Sequence, residues 1–413
     1  MRLALCVDTW GLVGGSERYA AAAAEELAAR GHEVTVLCAR RVGPAPGQVP
    51  SEELVAYGAR DGAARAVTAR IEALRADAAL VLSCSSPAAF EAVLGAVPTV
   101  RFVQDHTPFC PGLNKLLADG SPCQRALGAA CLEQFLAHGG CRGFRRDVHR
   151  PGAFAAVGAL RKHLRELSAA ARCERLLVAS EYMRHELIAA GVSPERVARV
   201  SYFTRSAAGR LPAGDLDPAL AAFLARTSGA LVLAAARLVP EKGIDYLLTA
   251  LGKLRAPFRA VIAGSGPAAG WLDRKAREEG LAARVHLAGW QSAGALERLY
   301  ARCDVVAFPS VWDEPFGLVG LEAMAHGKPV AAFDVGGVRE WLEHGVTGLV
   351  AARADAAALA EALEALLGDP ARSASMGAAG RERAAHLFSL ERGVSELERE
   401  LARAARAGQR AAA

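Results

Sequence analysis

Two series of short apolar runs, each followed by a longer helix-like segment, constrain the fold of this chain more than any other feature. The first series has an apolar run at 3–7, a glycine-rich turn at 11–15, an alanine- and glutamate-rich segment at 16–30 and a second apolar run at 34–38. Short apolar runs are typical of strands buried on both faces, and the segment between them, which stops at Gly31, is typical of a helix. A strand, a helix and a second strand in this order predict a parallel pair, so we expect an α/β fold.

The same alternation continues along the chain with one break. In the first half we predict a helix at 181–190 and further strands at 79–84, 99–103 and 176–179. A stretch with several glycines and prolines, 206–228, predicts a linker. After it we expect helices at 244–254 and 271–279 and strands at 231–236, 259–263, 285–287, 305–308 and 329–333.

The length of the chain agrees with two domains. At 413 residues, of which 52% are hydrophobic, the chain can form two separate cores. We therefore predict an N-terminal domain at 1–205 and a C-terminal domain at 229–387. The charged amphipathic segment 388–413 predicts a helix that packs back onto the first domain.

The loops that follow the strands are where a site is expected, because ligands of open parallel sheets bind beyond the carboxyl ends of the strands. In the second domain RLVPEKG follows the strand at 231–236 and carries Arg237 and Lys242. A guanidinium and an ammonium group between a strand and a helix suit a diphosphate; the alternative is two surface cations. Gly264 follows the next strand, where a glycine lets a ligand approach the backbone, although a simple turn has the same pattern.

The segment PSVWDEPFGLVGLEAMAHGKPV, at 309–330, has the strongest functional pattern. Glu314 lies in the loop after a strand, a helix is predicted to begin near Phe316 or Gly317, and Glu322 lies inside that helix. The first amides of a helix have no intrahelical acceptor and can bind anions or hydroxyl oxygens. Carboxylates accept hydrogen bonds from sugar and ribose hydroxyls. The alternative is structural: Glu314 would stabilise the helix start and Glu322 would pair with a neighbouring cation.

RLVPEKG, followed further along by EPFGLVGLEAMAHGKPVAAFDVGGVREWLEHGVTGLV, closely resembles the retaining GT-B glycosyltransferases of family four. The resemblance is most specific in the second domain, and the glycine turn and the repeated α/β pattern extend it to nearly the whole chain. It implies the GT-B fold, in which two Rossmann-like doubly wound domains face each other across a cleft. It also implies a donor site in the C-terminal domain and an acceptor site in the N-terminal domain.

The resemblance implies roles for individual residues. Arg237 and Lys242 would hold the diphosphate of a nucleotide-sugar donor. Glu314 matches the acid that binds hydroxyls of the transferred sugar, and Glu322 matches the acid that binds the ribose hydroxyls. Such enzymes retain the anomeric configuration and need no metal or other cofactor, because the two cations and the helix end offset the charge of the leaving diphosphate.

Backbone groups are also implied in donor binding. Phe316, Gly317 and Leu318 would offer amides to the sugar and the phosphate. Gly14 and Gly15 match the first-domain loop that closes over a phosphate of the donor or acceptor. The donor would be a UDP- or GDP-linked sugar. The acceptor would be a hydroxyl compound, lipid-linked or a precursor of envelope polysaccharide.

One first-domain position departs from the family pattern. Relatives carry a histidine after a strand, in a stretch that leads into Cys-Pro. Here the segment is RFVQDHTPFCPG, so alignment on Cys110 and Pro111 places Gln104 at the histidine position, with His106 two residues later. Either His106 takes the role or Gln104 acts as a neutral donor to the sugar; we expect His106. The alternative is a histidine with only a local hydrogen bond.

Four cysteines within a short stretch suggest a metal site. They are Cys110, Cys123, Cys131 and Cys141, and four thiols can bind zinc. Their spacing lacks the close Cys-x-x-Cys pairs of common zinc sites, so free buried thiols are the alternative. The nine cysteines and the absence of a recognisable leader or membrane span predict a reduced, cytoplasmic protein.

The charge of the chain is locally uneven. The net charge of +5 does not argue for nucleic-acid binding. Residues 121–175, however, contain ten Lys and Arg against four Asp and Glu. This segment predicts contact with an anionic acceptor or, peripherally, with an anionic membrane, the alternative being a solvated helix face.

Three other functions fit parts of the pattern. One is a nucleotide-sugar epimerase of the same architecture, and another is a non-catalytic protein that binds nucleotide sugars. A third is a zinc-dependent interaction module built on the cysteines. A phosphate-binding P-loop is excluded because GxxxxGK[ST] is absent. The Asp215-Leu216-Asp217 triplet resembles the metal-binding DxD motif of the other glycosyltransferase fold, but it lies in the predicted linker.

Overall fold

A parallel β-sheet forms the centre of the first part of the chain. In the computed structural model, which describes residues 1–54, 64–117, 119–137, 141, 153–204, 216–225 and 229–412, the strands of this sheet are Arg2–Trp10 (β1), Glu33–Arg41 (β2), Ser51–Glu53 (β3), Ala78–Val81 (β4), Thr99–Phe102 (β5), Arg175–Val178 (β6) and Val197–Arg199 (β7). Their order is β3-β2-β1-β4-β5-β6-β7. The order reverses at β1, which pairs with β2 on one side and with β4 on the other, Leu3 opposite Ala78.

Helices connect these strands, as parallel pairing requires. They are Gly15–Ala29 (α1), Ala64–Leu74 (α2), Pro87–Ala96 (α3), Ala129–Ala137 (α4), Ala153–Ala170 (α5) and Glu181–Ala189 (α6). Local sequence explains where two of them begin. The Ser86 hydroxyl accepts from the Ala89 amide ahead of α3, and Ser180 accepts from Met183 ahead of α6. Serine at this position satisfies an amide that the helix itself leaves without a partner.

A second parallel sheet follows. Its strands are Ala230–Ala235 (β8), Phe258–Ala263 (β9), Val285–Gly289 (β10), Val305–Phe308 (β11), Val330–Phe333 (β12) and Gly348–Ala351 (β13). Within the described residues their order is β10-β9-β8-β11-β12-β13. The order reverses at β8, so the carboxyl ends of β8 and β11 adjoin, and a crevice at such a reversal is where open α/β sheets bind ligands.

The helices of the second part follow the same alternation. They are Pro218–Ala225 (α7), Ile244–Gly252 (α8), Ala269–Glu278 (α9), Ala293–Arg302 (α10), Leu318–Ala325 (α11), Val338–Trp341 (α12), Ala356–Gly368 (α13) and Pro370–Leu387 (α14), and Leu390–Ala412 (α15) ends the described chain. In this part every strand except β10 is mostly buried. Trp341 is fully buried and fills the space beside α11, where a Cβ on Gly320 would overlap its ring.

The described residues divide into two units. Unit 1 is Met1–Tyr202 with Glu391–Ala413, and unit 2 is Phe203–Leu390. Helix α15 is held in unit 1 by buried apolar residues, among them Leu397 and Leu401, and by ion pairs. Arg30 contacts Glu398 at 3.2 Å and Arg175 contacts Glu400 at 3.0 Å.

Every strand and helix expected from the sequence is present, but no bounds were predicted for eight of the helices (α2 to α5, α10 and α12 to α14), three strands were not expected, and one segment was wrongly expected to be a linker. The missed strands, β3, β7 and β13, are three or four residues long and too short for a visible pattern. In the predicted linker 206–228, residues 218–225 form helix α7, which Pro218 begins and whose Leu220 and Phe223 are buried. Positions 206–215 and 226–228 of that linker lie outside the described residues. Among the helices that the structure describes, none has the length and apolar character needed to cross a membrane.

Candidate functional site

Arg237 and Lys242 lie at the carboxyl end of β8. Arg237 is exposed, and Lys242 ends a single 3₁₀ turn, Pro240–Lys242, that leads into α8. Gly243 has a φ of 61°, and a Cβ there would overlap the Pro309 carbonyl oxygen. Only glycine lets the chain turn this closely against the end of β11. Lys242 is therefore fixed beside the loop that carries Glu314.

A cavity of about 140 Å³ lies at the reversal point of this sheet. It is lined from the end of β8 by residues 234–237, from the end of β11 by residues 307–310, and by Lys242, Ile244 and Val319. Two of the predicted donor-binding residues, Arg237 and Lys242, are therefore brought together at one cavity. Glu314, Phe316, Gly317, Leu318, Glu322 and Gly264 are not part of its lining.

Glu314 is 5% exposed and forms an ion pair with Lys242. The Lys242 Nζ to Glu314 Oε1 distance is 2.5 Å, and the ammonium group also lies 5.0 Å from the centre of the Trp312 ring. A cation over an aromatic face and beside a carboxylate is held in one place by two attractions. The structure thus joins the proposed diphosphate cation to the proposed sugar-binding acid.

The backbone around Glu314 is held by neighbouring loops. The Gly337 amide donates to the Glu314 carbonyl oxygen at 2.7 Å. A Cβ on Gly336 would overlap that same carbonyl, so this contact requires glycine. The preceding residue, Asp313, pairs with Arg353 at 3.0 Å. Contacts from two further loops therefore fix the position from which the Glu314 side chain reaches Lys242.

Helix α11 begins directly after this loop, with Gly317 at its N-cap position and Leu318 as its first residue. Gly317 has a φ of 106°, a conformation that glycine adopts readily, and the Phe316 carbonyl accepts a hydrogen bond of 2.7 Å from the Trp341 indole. The bond to Trp341 and the buried Phe316 ring set the direction in which the helix starts. The first amides of α11, from Leu318 onward, belong to a helix end that attracts negative charge.

Glu322 lies in the second turn of α11 and is 5% exposed. Its Oε2 accepts a hydrogen bond of 3.0 Å from the Tyr300 hydroxyl of α10. His326 directly follows α11; its Nδ1 lies 2.9 Å from the Glu322 carbonyl oxygen and its Nε2 lies 2.8 Å from Glu297 Oε2. Glu297, Tyr300 and His326 were not predicted as site residues; the signal in the sequence was an aromatic residue three positions after an acid.

The structure shows why a glycine is needed at position 264, and the cause lies in the packing of neighbouring loops. It follows β9 with a φ of 147°, and the space that a Cβ would occupy is filled by the Ala236 carbonyl oxygen. Its amide donates to the Gly289 carbonyl at 2.7 Å. This glycine therefore allows two adjacent loops to pack closely, next to Arg237, and its predicted contact with the donor stays a prediction.

In unit 1 the glycine turn lies after β1, at the corresponding reversal point. Gly14 precedes α1 in an extended conformation and Gly15 is its first residue. Leu12 and Val13 in the same loop are about half exposed, at 51% and 49%. Glycines let the backbone of a loop approach a ligand closely, and the roles of Gly14 and Gly15 stay predictions.

His106 is fully buried in unit 1. Its Nε2 lies 2.8 Å from the Tyr182 hydroxyl of α6. Burial, with a smaller effect of Lys115, lowers the pKa of His106 to about 3, so the ring is neutral at physiological pH. Gln104 is partly exposed, beside the buried Tyr202. The structure therefore places His106 as a packed side chain and leaves Gln104 closer to the surface.

The four cysteines that could be zinc ligands or free thiols surround one small cavity. Cys110, Cys123, Cys131 and Cys141 line a space of about 30 Å³ together with Lys115 and Arg125. Burial, helped by the neighbouring Cys110 and Cys123, raises the pKa of Cys131 to about 11, and burial also raises that of Cys110. In the described part of the chain, no group of three or more His, Cys, Asp or Glu side chains is arranged to hold a metal ion. Free thiols and a zinc site both stay open for these cysteines, and the raised pKa values of Cys131 and Cys110 favour neutral thiols.

The basic segment 121–175 is only partly described. Arg142, Arg145, Arg146 and Arg150 lie outside the described residues. Among the others, Arg165 pairs with Glu91 at 2.5 Å and Arg175 with Glu400. Arg161 and Lys162 are exposed on α5, next to the exposed Leu164.

Two family models match the chain, one in each unit. The first, described as Glycosyltransferase Family 4, matches residues 13–202. The second, described as Glycosyl transferases group 1, matches residues 220–383.

Individual relatives match parts of the chain. An uncharacterized glycosyltransferase of Methanocaldococcus jannaschii is 41% identical over 121 residues, which are 29% of this chain and 31% of that protein. A GDP-mannose-dependent alpha-(1-6)-phosphatidylinositol monomannoside mannosyltransferase of Mycobacterium tuberculosis is 39% identical over 160 residues, 37% of this chain and 42% of that protein.

The matched stretches thus span less than half the length of these relatives. Among solved structures, that of Anabaena HepE in complex with UDP and glucose has the same fold, with a TM-score of 0.71 and 20% identity over 97% of this chain and 100% of that one. Its sheets, like those described above, belong to the GT-B architecture. The chain is therefore a member of the family four, or group 1, glycosyltransferases and has the GT-B fold.

Proposed function

We propose that this protein transfers a sugar from a nucleotide-diphosphate donor to a hydroxyl acceptor, with retention of the anomeric configuration. One observation carries the proposal: Arg237 and Lys242 line a single cavity at the reversal point of the unit 2 sheet, and Lys242 contacts the buried Glu314. Two cations beside a helix start suit a diphosphate, and a buried carboxylate beside them suits the sugar that it carries.

The charges in unit 2 suit a departing diphosphate. Negative charge develops on the leaving phosphate as its bond to the sugar breaks, and groups already oriented toward it stabilise that charge. Arg237, Lys242 and the first amides of α11 would supply this stabilisation, so we propose that the reaction needs no metal. In a front-face displacement the bond from the anomeric carbon to the phosphate breaks, the acceptor oxygen bonds to the same face, and the acceptor proton passes to the phosphate oxygen.

The two acids would have separate tasks. Glu314 would accept hydrogen bonds from hydroxyls of the transferred sugar, because it lies beside the Lys242 group that holds the phosphate. Glu322, one helix turn and more into α11, would accept from the ribose hydroxyls. Both UDP- and GDP-linked donors are considered, because the mycobacterial relative is named as GDP-mannose-dependent and HepE was solved with UDP and glucose.

The acceptor side of the proposal rests on unit 1. Gly14 and Gly15 would approach a phosphate of donor or acceptor, and Gln104 or His106 would contact the sugar. The exposed Arg161 and Lys162 favour an acceptor that is anionic or lies at an anionic membrane, such as a lipid-linked precursor of envelope polysaccharide. Vesicles with anionic lipid should retain the protein at low salt, and Arg161→Gln with Lys162→Gln should weaken this; no retention by wild type would contradict the membrane contact.

A donor screen tests the central proposal. Melting temperatures are measured with UDP- and GDP-linked sugars and with bare UDP and GDP, for wild type, Glu322→Ala and the matched control Glu382→Ala, an exposed acid of α14. Ligands that bind the folded state raise the melting temperature by mass action. We expect a rise with one base, lost in Glu322→Ala and kept in Glu382→Ala.

Turnover then separates the alternatives. With the donor so identified, transfer to a panel of hydroxyl acceptors is followed by NMR, which reports the anomeric configuration of the product. A retained configuration supports the proposal, and an inverted one contradicts its mechanism. Conversion of the donor sugar without any acceptor would show an epimerase, and binding without turnover on any acceptor would favour a non-catalytic binding protein.

A further inference from the structure

Glu322 is held by a ring of side chains that no sequence motif predicted. Its Oε2 accepts from the Tyr300 hydroxyl at 3.0 Å, and the same hydroxyl lies 3.5 Å from the Val319 carbonyl oxygen one turn earlier in α11. Tyr300 is 1% exposed, so its hydroxyl cannot exchange this partner for water. The bond restrains one oxygen of the carboxylate and so limits the positions that the other oxygen can take.

Tyr300 is itself held by His326. The two rings stack with centroids 5.1 Å apart and planes 20° apart. His326 directly follows the last residue of α11, whereas Tyr300 belongs to α10, so the stack joins the two helices. A stacked neighbour limits rotation of the tyrosine ring and keeps its hydroxyl directed at Glu322.

His326 is oriented by hydrogen bonds through both ring nitrogens. Nδ1 lies 2.9 Å from the Glu322 carbonyl oxygen and Nε2 lies 2.8 Å from Glu297 Oε2. Both partners are oxygen atoms, and the protonated ring can donate to both at once. Burial alone would lower the pKa of His326, but the Glu297 carboxylate and the Glu322 carbonyl raise it above its ordinary value. Glu297, His326, Tyr300 and Glu322 thus form a network of side-chain contacts, here called the α10–α11 network, between α10 and the end of α11.

We propose that Tyr300 and His326 are positioning residues for the donor ribose, which they orient by fixing the carboxylate of Glu322. This inference rests on the proposed function, in which Glu322 accepts from the ribose hydroxyls. If the α10–α11 network only joined the two helices, it would contribute to stability alone. If it positions Glu322, it also increases the difference in affinity between a nucleotide that carries the ribose hydroxyl and one that lacks it.

The test measures that distinction directly. Dissociation constants are determined for whichever of UDP and GDP wild type binds more tightly, and for its 2′-deoxy and 3′-deoxy forms. A hydrogen bond to a charged group is worth about 1.5–3 kcal/mol, so wild type should bind one deoxy form at least about tenfold more weakly. In Tyr300→Phe, which keeps the stacked ring, this ratio should fall to about threefold or less, because the carboxylate is no longer fixed.

Matched variants separate positioning from stability. Tyr246→Phe makes the same change on α8, in a residue that packs on Phe333, and should leave the ratio at its wild-type value. His326→Gln should lower the ratio as Tyr300→Phe does. Melting temperatures of all variants without nucleotide report stability separately, and dissociation constants are compared below the melting temperature of the least stable one.

The outcomes are distinguishable. Wild type, Tyr300→Phe and His326→Gln could all discriminate equally well between the nucleotide and its deoxy forms. In that case the α10–α11 network is only structural, and the inference is overturned while the proposed function stands. If wild type itself fails to discriminate, or binds neither UDP nor GDP, the role of Glu322 in the proposed function fails, and this inference fails with it. A lower ratio in both variants and an unchanged one in Tyr246→Phe supports it.

Discussion

Lys242 and Glu314 form a close ion pair, with Nζ 2.5 Å from Oε1, although 72 positions separate them in the chain. The lysine side chain is 19% exposed and the glutamate side chain 6%. In the proposed function these two groups bind adjacent parts of one donor, the diphosphate and the sugar. A donor must therefore compete with a contact that the two residues make with each other.

Separating the partners of this pair should affect stability and binding differently. Lys242→Met leaves a buried carboxylate without its cation, and we expect unfolding free energy to fall by about 2–4 kcal/mol, near the range for broken buried pairs. Lys242→Met with Glu314→Gln should recover most of that loss because no buried charge is left. Neither variant should bind the donor diphosphate normally. Urea unfolding and nucleotide titration check this, and a double variant that binds donor like wild type would contradict the roles given to these residues.

Gly243 should tolerate no side chain. It has a φ of 61°, and a Cβ there would overlap the Pro309 carbonyl oxygen. Gly280 has a φ of 70° with open space around it, so Gly280→Ala measures the backbone strain alone, about 1 kcal/mol. We expect Gly243→Ala to cost at least about 2 kcal/mol more, because the loop after β11 has to move. Thermal unfolding measures this difference. An equal loss of unfolding free energy in Gly243→Ala and Gly280→Ala would contradict the predicted steric overlap.

Acid should destabilise unit 1 through His106. The pKa of its buried ring is about 3 in the folded protein, below the ordinary value near 6.5. As pH falls from about 6.5 toward 3, the unfolded chain takes up a proton that the folded chain does not, so stability decreases in that window. His106→Gln should reduce this dependence, whereas His185→Gln, at an exposed position of α6, should leave it unchanged. Unfolding free energies at pH 7, 6 and 5 test this, and identical slopes for His106→Gln and wild type would contradict it.

The cysteine cavity should behave as a set of neutral thiols. Because burial raises the pKa of Cys110 and of Cys131, we expect these thiols to react slowly with a thiol reagent at pH 7. Elemental analysis of freshly purified protein should find zinc well below one atom per chain. About one zinc per chain, lost in Cys123→Ser and Cys131→Ser but kept in Cys38→Ala, would show instead that the four thiols form a metal site.

Much of the fold followed from the sequence because parallel strands are buried on both faces. The runs that became β1, β8 and β11 are almost wholly apolar, and glycines or polar loops separate them from the helices. Polar β3, Ser51–Glu53, carried no such pattern. Helix α7 was assigned to a linker because Gly209, Pro212 and Pro218 obscured the short apolar run that follows them.

The candidate site was predictable in its residues and not in its contacts. Arg237, Lys242, Glu314 and Glu322 were recognisable because each lies after a strand or in a glycine-marked helix start. That Tyr300 bonds Glu322 depends on how α10 and α11 pack, which local pattern does not encode. The same is true of His106, whose complete burial against Tyr182 arises from contacts 76 positions apart.

Helix α15 belongs to unit 1 although all of unit 2 precedes it in the chain. During synthesis, residues 203–390 are therefore made before Leu397 and Leu401 exist to fill their places in unit 1. Until then Ser201 lacks the carboxylate of Glu396, which accepts from its amide at 2.6 Å. Unit 2 can fold on the ribosome with its own sequence complete, while unit 1, although begun first, reaches its full set of contacts last.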